Sequence, residues 1–201
     1  MAHILILFAH PAFQKSRAQK HLVAAVRDLE NTTFHDLYEE YPDFNIDVPR
    51  EQQLLLDHEL IVFQHPFYWY SSPALLKEWQ DLVLEHGFAY GHGGTALHGK
   101  CMMTAITSGA SRDAYCREGY NCFTIRQFLA PFEQTAVLCG MRYLPPYVIH
   151  DMHRGIEENL MDQHAQGYRQ VLTALRDDTL DLGQLDRLTY INEILENSGD
   201  A

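Results

Sequence analysis

The sequence predicts an α/β fold in three layers: a five-stranded parallel sheet in strand order 2-1-3-4-5, with helices on both faces. Three observations predict it. The runs at 3–9 and 59–64 are apolar without alternation, as in strands buried on both faces. Strand-like runs and helix-periodic segments alternate five times, which argues for parallel strands joined by helical crossovers. The fifth strand-like run carries Pro145 and Pro146, which remove ladder donors and place it at a sheet edge, where this strand order puts it.

The elements follow in order. Residues 3–9 form the first strand, ending at His10-Pro11. Ser16 is the N-cap of a helix whose Leu22, Val26 and Leu29 share one face. Residues 33–38 read as the second strand, and a short helix follows near 50–57. The third strand spans 59–64. Pro73 opens a helix to about residue 86, with Leu75, Leu76, Trp79, Leu82 and Val83 at helical spacing. A Gly-rich loop covers 87–99, and the fourth strand spans 100–108. An irregular segment, 109–121, precedes a helix over 125–139. The fifth strand spans 143–150 and the last core helix 156–176. Residues 177–201 form an acidic C-terminal extension to a domain spanning 1–176.

Composition narrows the function. The 201 residues suit one domain. A formal net charge of -12, with no Lys/Arg-rich run, argues against nucleic acid as a partner. No apolar run reaches the roughly 18–20 residues that span a bilayer. The start enters a strand at once and has no basic leader region. Cys101, Cys116, Cys122 and Cys139 form no CxxC pair and read as free thiols of a reducing compartment, so the expected location is cytoplasmic.

In such a sheet, ligands sit beyond the carboxyl ends of the strands, where the order reverses between strands 1 and 3. Three loops meet there. After strand 1, His10, Ser16 and Arg17 stand at a helix N-terminus suited to an anion; taken alone, an ordinary capped helix with a solvated Arg is the commoner explanation. After strand 3 comes Phe67-Tyr68-Trp69-Tyr70, between Pro66 and Pro73. Flat aromatic faces suit a planar ring; surface packing or a dimer patch is the other reading. After strand 4, the small residues of Thr107-Ser108-Gly109-Ala110-Ser111 allow close approach to the backbone, or make a simple turn. Together the loops describe a flat ligand with a phosphate tail, which FMN fits well.

"AHP" at 9–11, "YPDFNID" at 41–47, "FQHPFYWYSSPALLKEW" at 63–79 and "GHGGTALHGK" at 91–100 resemble the ancillary flavoproteins of the glutathione-regulated potassium-efflux (Kef) system. These belong to the wider family of NAD(P)H:quinone oxidoreductases with a flavodoxin-like fold. The likeness covers residues 3 to about 150. It implies a dimeric FMN enzyme, with FAD as the alternative cofactor, that passes two electrons from NADH or NADPH to a quinone. For some members it implies a membrane potassium-efflux transporter as partner, and so a place at the inner face of the cell membrane. In the alternative it implies, the protein is a regulatory subunit whose flavin is mainly structural.

Carried over, the resemblance places the flavin phosphate and ribityl chain at His10 and at Ser16, Arg17, Ala18 and Gln19. It places the ring at Phe67, Tyr68, Trp69 and Tyr70 and at Thr107, Ser108, Gly109 and Ala110. Tyr115 takes the position of a catalytic tyrosine that balances charge on the reduced flavin. Three departures stand out: Asn121 where some members have a histidine, Gln19 for an Asn, and Ala110 for a Gly. No metal site is expected from the twelve histidines. The pair His150 and His153 and the series His86, His92 and His98 lack partners at zinc spacing.

Overall fold

The protein is described here by a computed structural model of residues 1–152 and 157–196. Strand β1 (Ile4–Phe8) runs parallel between β2 (Thr32–Asp36) and β3 (Leu60–Pro66). Strand β3 pairs with β4 (Cys101–Thr107), and β4 pairs in turn with β5 (Arg142–Tyr143) and β6 (Tyr147–Ile149). The order is β2-β1-β3-β4-β5, as expected. The fifth strand differs: where one run over 143–150 was expected, Pro145 and Pro146 split it into two short pieces, because neither can donate to the ladder.

Successive strand side chains point to opposite faces, and this sorts the core into two halves. Leu5, Leu7, Ile61, Phe63, Met102 and Ile106 meet Leu37, Leu75, Trp79 and Phe132 on one face. Ile4, Ile6, Val62, Met103 and Ala105 meet Leu22, Val26, Tyr168 and Leu172 on the other. Full burial of such side chains stabilises by roughly 1.5–3 kcal/mol each.

The helices start where their caps dictate. Helix α1 (Arg17–Val26) is capped by Ser16, whose Oγ accepts from the Gln19 N–H. Helix α2 (Leu37–Glu40) ends the second strand early, because Asp36 accepts from the N–H groups of Tyr38 and Glu39. Asp47 caps α3 (Val48–Asp57), which carries proline in its first turn. Helix α4 (Ala74–Val83) follows Pro73 and stops short of residue 86. The helix expected over 125–139 is broken into α5 (Ile125–Phe128) and α6 (Ala130–Leu138), since Pro131 lacks the N–H a continuous helix needs. Helix α7 (Glu158–Arg176) packs against α1; residue 156, its expected start, lies outside the described residues.

Beyond α7, two one-turn helices, α8 (Leu182–Leu185) and α9 (Glu193–Glu196), bring the extension back onto the sheet. Within this acidic extension Leu185 and Ile191 are buried with the α1/α7 half of the core. The Asn192 side chain accepts from the Val148 N–H at 2.9 Å and donates to the Val148 carbonyl at 3.1 Å. One amide thus stands in for a neighbouring strand on the open edge of β6.

Two polar clusters sit inside this frame. At the crossing of β3 with α1 and α7, the Tyr168 hydroxyl donates to Gln64 Oε1 at 3.1 Å, and Gln64 Nε2 donates to Gln19 Oε1 at 2.9 Å. Gln19 Nε2 completes the chain by donating to Thr107 Oγ1 at 3.1 Å. On the opposite face, Glu51 is fully buried. It meets His35 Nε2 at 2.9 Å, the Tyr41 hydroxyl at 2.5 Å and Trp79 Nε1 at 2.7 Å. Burial pushes the Glu51 carboxyl up, but the bonds from His35 and Tyr41 outweigh it and hold the group below its ordinary value.

A lowered folded pKa contributes stability that is present above the unfolded value and is lost as pH falls through the folded one. Glu51→Gln is therefore expected to destabilise by about 1–3 kcal/mol at neutral pH. The deficit should shrink below the ordinary carboxylate range, as urea unfolding at neutral and acid pH would show. A deficit that does not change with pH would contradict an ionised Glu51.

Candidate functional site

The carboxyl ends of β1, β3 and β4 border two hollows that share Phe67 and Gly109 in their walls. The larger, about 450 Å³, lies over the start of α1. The smaller, about 230 Å³, lies between the aromatic stretch and the 109–121 segment.

The larger hollow has the chemistry of an anion site. The first turn of α1 leaves the Arg17 and Ala18 N–H groups without intrahelical acceptors, and the helix dipole adds partial positive charge. Ser16 accepts from Gln19 and keeps its own hydroxyl proton to donate. His10 is 5% exposed, and its Nδ1 accepts from the Ala12 N–H at 3.0 Å. That bond leaves the proton of a neutral imidazole on Nε2, and burial lowers the pKa of the ring. Among the described residues the Arg17 guanidinium is held only by a loose, exposed pair with Glu158 at 3.7 Å, so it is free to turn to an anion. Lys15, Met152 and Met161 also line this hollow. Sequence reasoning did not single them out: Lys15 was seen only as part of the loop, and the methionines arrive from distant segments.

The aromatic stretch is more than a flat surface. Tyr68 and Ser71 exchange backbone hydrogen bonds of 3.1 and 3.0 Å, closing a two-residue turn around Trp69 and Tyr70. Both central residues have positive φ, 47° and 64°. Glycine or asparagine normally fills such positions, so two large aromatics here store strain of order 1 kcal/mol each. Side-chain roles then separate. Phe67 is nearly buried among Tyr70, Tyr115 and Phe128. Tyr68 packs edge-on to His10, and Tyr70 stacks on Phe128 at 4.8 Å. Trp69 is 92% exposed at the rim. The Phe67 and Tyr68 N–H groups are spent on backbone carbonyls, whereas among the described residues those of Trp69 and Tyr70 donate to no backbone oxygen.

Across the smaller hollow, Tyr115 is 8% exposed and its hydroxyl oxygen accepts from Ser108 Oγ at 2.8 Å. The phenol proton is left to point elsewhere. Gly109 and Ala110 form the floor, with Tyr120 and Asn121 at the far side. Asn121 stands where a histidine was looked for, and its side chain accepts from the Tyr70 hydroxyl at 3.2 Å.

Of the residues singled out from sequence, His10, Ser16, Arg17, Ala18, Tyr68 and Thr107 line the larger hollow. Trp69, Tyr70, Ala110 and Tyr115 line the smaller, and Phe67 and Gly109 line both. Gln19 and Ser108 line neither. Gln19 is fully buried with its amide engaged by Gln64 and Thr107, and Ser108 holds Tyr115; both support the walls from behind. Among the described residues no three His, Cys, Asp or Glu side chains gather as metal ligands. His153 lies outside the described residues.

A family model described as flavodoxin-like fold matches residues 2–172, and the chain belongs to that family. The glutathione-regulated potassium-efflux system ancillary protein KefG of Yersinia pseudotuberculosis serotype O:1b (strain IP 31758) is 50% identical over 169 residues, covering 84% of this chain and 92% of that protein. Among solved structures, general stress protein 14 from Treponema denticola, in complex with FMN, is 38% identical with a TM-score of 0.80, covering 86% of this chain and 98% of that one. The NADPH-quinone reductase from P. pentosaceus is 34% identical with a TM-score of 0.76, covering 84% and 96%. Thermophilic tryptophan halogenase from Streptomycin violaceusniger is 43% identical with a TM-score of 0.80, covering 83% and 96%. These names differ in activity, so the likeness carries the family and the fold, and activity must be argued from the site.

The strained turn gives a direct test. Trp69→Gly loses little packing, because the indole is exposed, and relieves a left-handed backbone. It is expected to leave stability unchanged or raise it by up to about 1 kcal/mol in urea unfolding. A loss greater than that would contradict stored strain at this position.

Proposed function

We propose that this member of the flavodoxin-like family is an FMN-dependent NAD(P)H:quinone oxidoreductase. The observation that carries the reading is the pairing of the two hollows: a donor-lined anion site that shares Phe67 and Gly109 with a slot walled by aromatics and open backbone N–H groups. A phosphate would meet the Ser16 hydroxyl, the Arg17 and Ala18 N–H groups, the Arg17 guanidinium and His10 Nε2–H. A planar ring would lie against the 67–70 turn and over Gly109 and Ala110. FMN has this outline, and FAD is the alternative cofactor.

When bound, the flavin would supply two-electron exchange between NADH or NADPH and a flat acceptor such as a quinone. The chain's own task is to bind, orient and stabilise charge. Tyr115, its oxygen tied by Ser108, presents the phenol proton to the slot and is the candidate donor to negative charge developing there. The N–H groups of Trp69 and Tyr70 offer further donors without any change of conformation. Trp69 and Tyr120, both more than 90% exposed, leave an aromatic rim around the slot, and this supports a homodimer that covers it. The reading places the protein in the cytoplasm; among the described residues no helix is long and apolar enough to cross a membrane.

A second reading is favoured by the 50% identity to an ancillary protein of a potassium-efflux system. Here the protein docks on a membrane potassium-efflux transporter at the inner face of the membrane, and the flavin serves mainly as structure. The two readings share the cofactor and differ in whether turnover is needed.

Ser16→Ala should weaken FMN about tenfold and riboflavin far less, because only FMN carries the phosphate. Equal losses in fluorescence titrations would contradict the anion site. Tyr115→Phe should keep FMN affinity within a few-fold while quinone reduction falls roughly ten- to a hundredfold. Wild-type protein that holds FMN but is not bleached by NADH or NADPH without oxygen would favour the second reading over the first.

A further inference from the structure

Tyr115 is backed by two further rings, each tilted to the next. His150, just after β6, lies with its ring centroid 5.8 Å from that of Tyr115 and 5.6 Å from that of Tyr190. Both His150 nitrogens are buried. Burial lowers the pKa of this ring to about 4, so it is neutral and carries no charge that needs an ion partner. The neutral ring is held by the Ala110 backbone and by the tyrosine rings packed on it. One of those rings, Tyr190, is 5% exposed and comes from the C-terminal extension.

The same tyrosine holds a second point of the pocket wall. The Arg112 guanidinium lies 5.0 Å from the centre of the Tyr190 ring and pairs with Glu193 Oε1 at 3.1 Å. Glu193 in turn accepts from the N–H groups of Thr189 and Tyr190, which fixes this stretch of the extension. Arg112 opens the 3-10 turn Arg112–Ala114, which delivers Tyr115 to the smaller hollow. The stretch is anchored to the sheet by Asn192 on Val148 and by the Ile191 N–H to the Pro146 carbonyl. The extension thus joins the sheet edge to the 109–115 segment, through His150 to Tyr115 and directly to Arg112.

We propose that Tyr190 is a positioning residue for the ring slot: acting through His150 and Arg112, it fixes the 109–115 segment and the Tyr115 phenol from the C-terminal extension. The proposal rests on the reading of the smaller hollow as a ring site, and its test separates the two. In flavin-free protein, Tyr190→Ala should speed backbone hydrogen exchange across 109–121 roughly tenfold, with 60–66 unchanged, while Tyr190→Phe keeps the wild-type pattern. With flavin, Tyr190→Ala should weaken FMN and riboflavin by the same few-fold factor, since the slot is loosened and the anion site is not.

If Tyr190→Ala does not fold, the partly exposed Glu193→Ala decides, with a smaller rise in exchange expected in the same segment. A folded variant whose 109–121 exchange matches wild type would overturn the proposal. So would a loosened segment with unchanged flavin affinity. Wild-type protein that binds neither flavin would sink the cofactor reading alone, and the exchange measurements would still decide the positioning role.

Discussion

The site depends on one buried chain of side-chain hydrogen bonds, Tyr168 to Gln64 to Gln19 to Thr107. It ties α7, β3, α1 and β4 together at the point where the strand order reverses. Helices packed on a sheet by apolar contacts alone can shift by tenths of an ångström at little cost, because dispersion is not directional. Hydrogen bonds between fully buried amides do not allow this, since each unmade one costs about 1–3 kcal/mol. The first turn of α1 is therefore held at a set distance from the ends of β3 and β4. The Arg17 and Ala18 N–H groups face the hollow in consequence.

This explains why the fold was largely legible in the sequence and where it was not. The unalternating runs that became β1 and β3 and the Ser16 cap follow from local rules, and those rules held. The fifth strand was placed at the correct edge but read as one piece. The prolines that identified the edge also interrupt the ladder, and sequence reading gave weight to only one of these effects. The helix over 125–139 missed its break at Leu129 because Pro131 is tolerated one residue into a new helix as well as within a kinked one. The Glu51 cluster was invisible for a different reason. A buried carboxylate is an exception to the usual burial order, and its partners His35, Tyr41 and Trp79 are brought together only by tertiary packing.

At the site, the sequence located the loops but not the division of labour within them. Gln19 and Ser108 look like ligand residues because they sit among residues that line the hollows, yet their polar atoms turn inward to hold Thr107 and Tyr115. The aromatic stretch suggested a platform of side chains. Its backbone turns instead through two left-handed residues, so that a side chain is thrown to the rim while N–H groups are left facing outward. No local rule predicts Trp and Tyr in these conformations, because both disfavour them. Only the surrounding structure, with Tyr70 stacked on Phe128 and Tyr68 bridged to Ser71, makes the turn affordable.

The extension shows the same separation at longer range. By sequence it is acidic and weakly helical, with little to distinguish it from a solvated extension. Its contribution lies in a few residues spaced to reach three different places: Asn192 the backbone of Val148, Tyr190 the rings at His150 and Arg112, and Glu193 the Arg112 guanidinium. An exposed ion pair such as Arg112 with Glu193 contributes little by itself. Tyr190, nearly buried, couples that pair to the His150 imidazole, which also meets the Ala110 backbone, and this makes the arrangement stiff. The wall of the ring slot is thus built from both ends of the fold. The loop after strand β4 supplies Gly109 and Ala110 near the middle of the chain, and residues some eighty positions later pack against the segment that follows them.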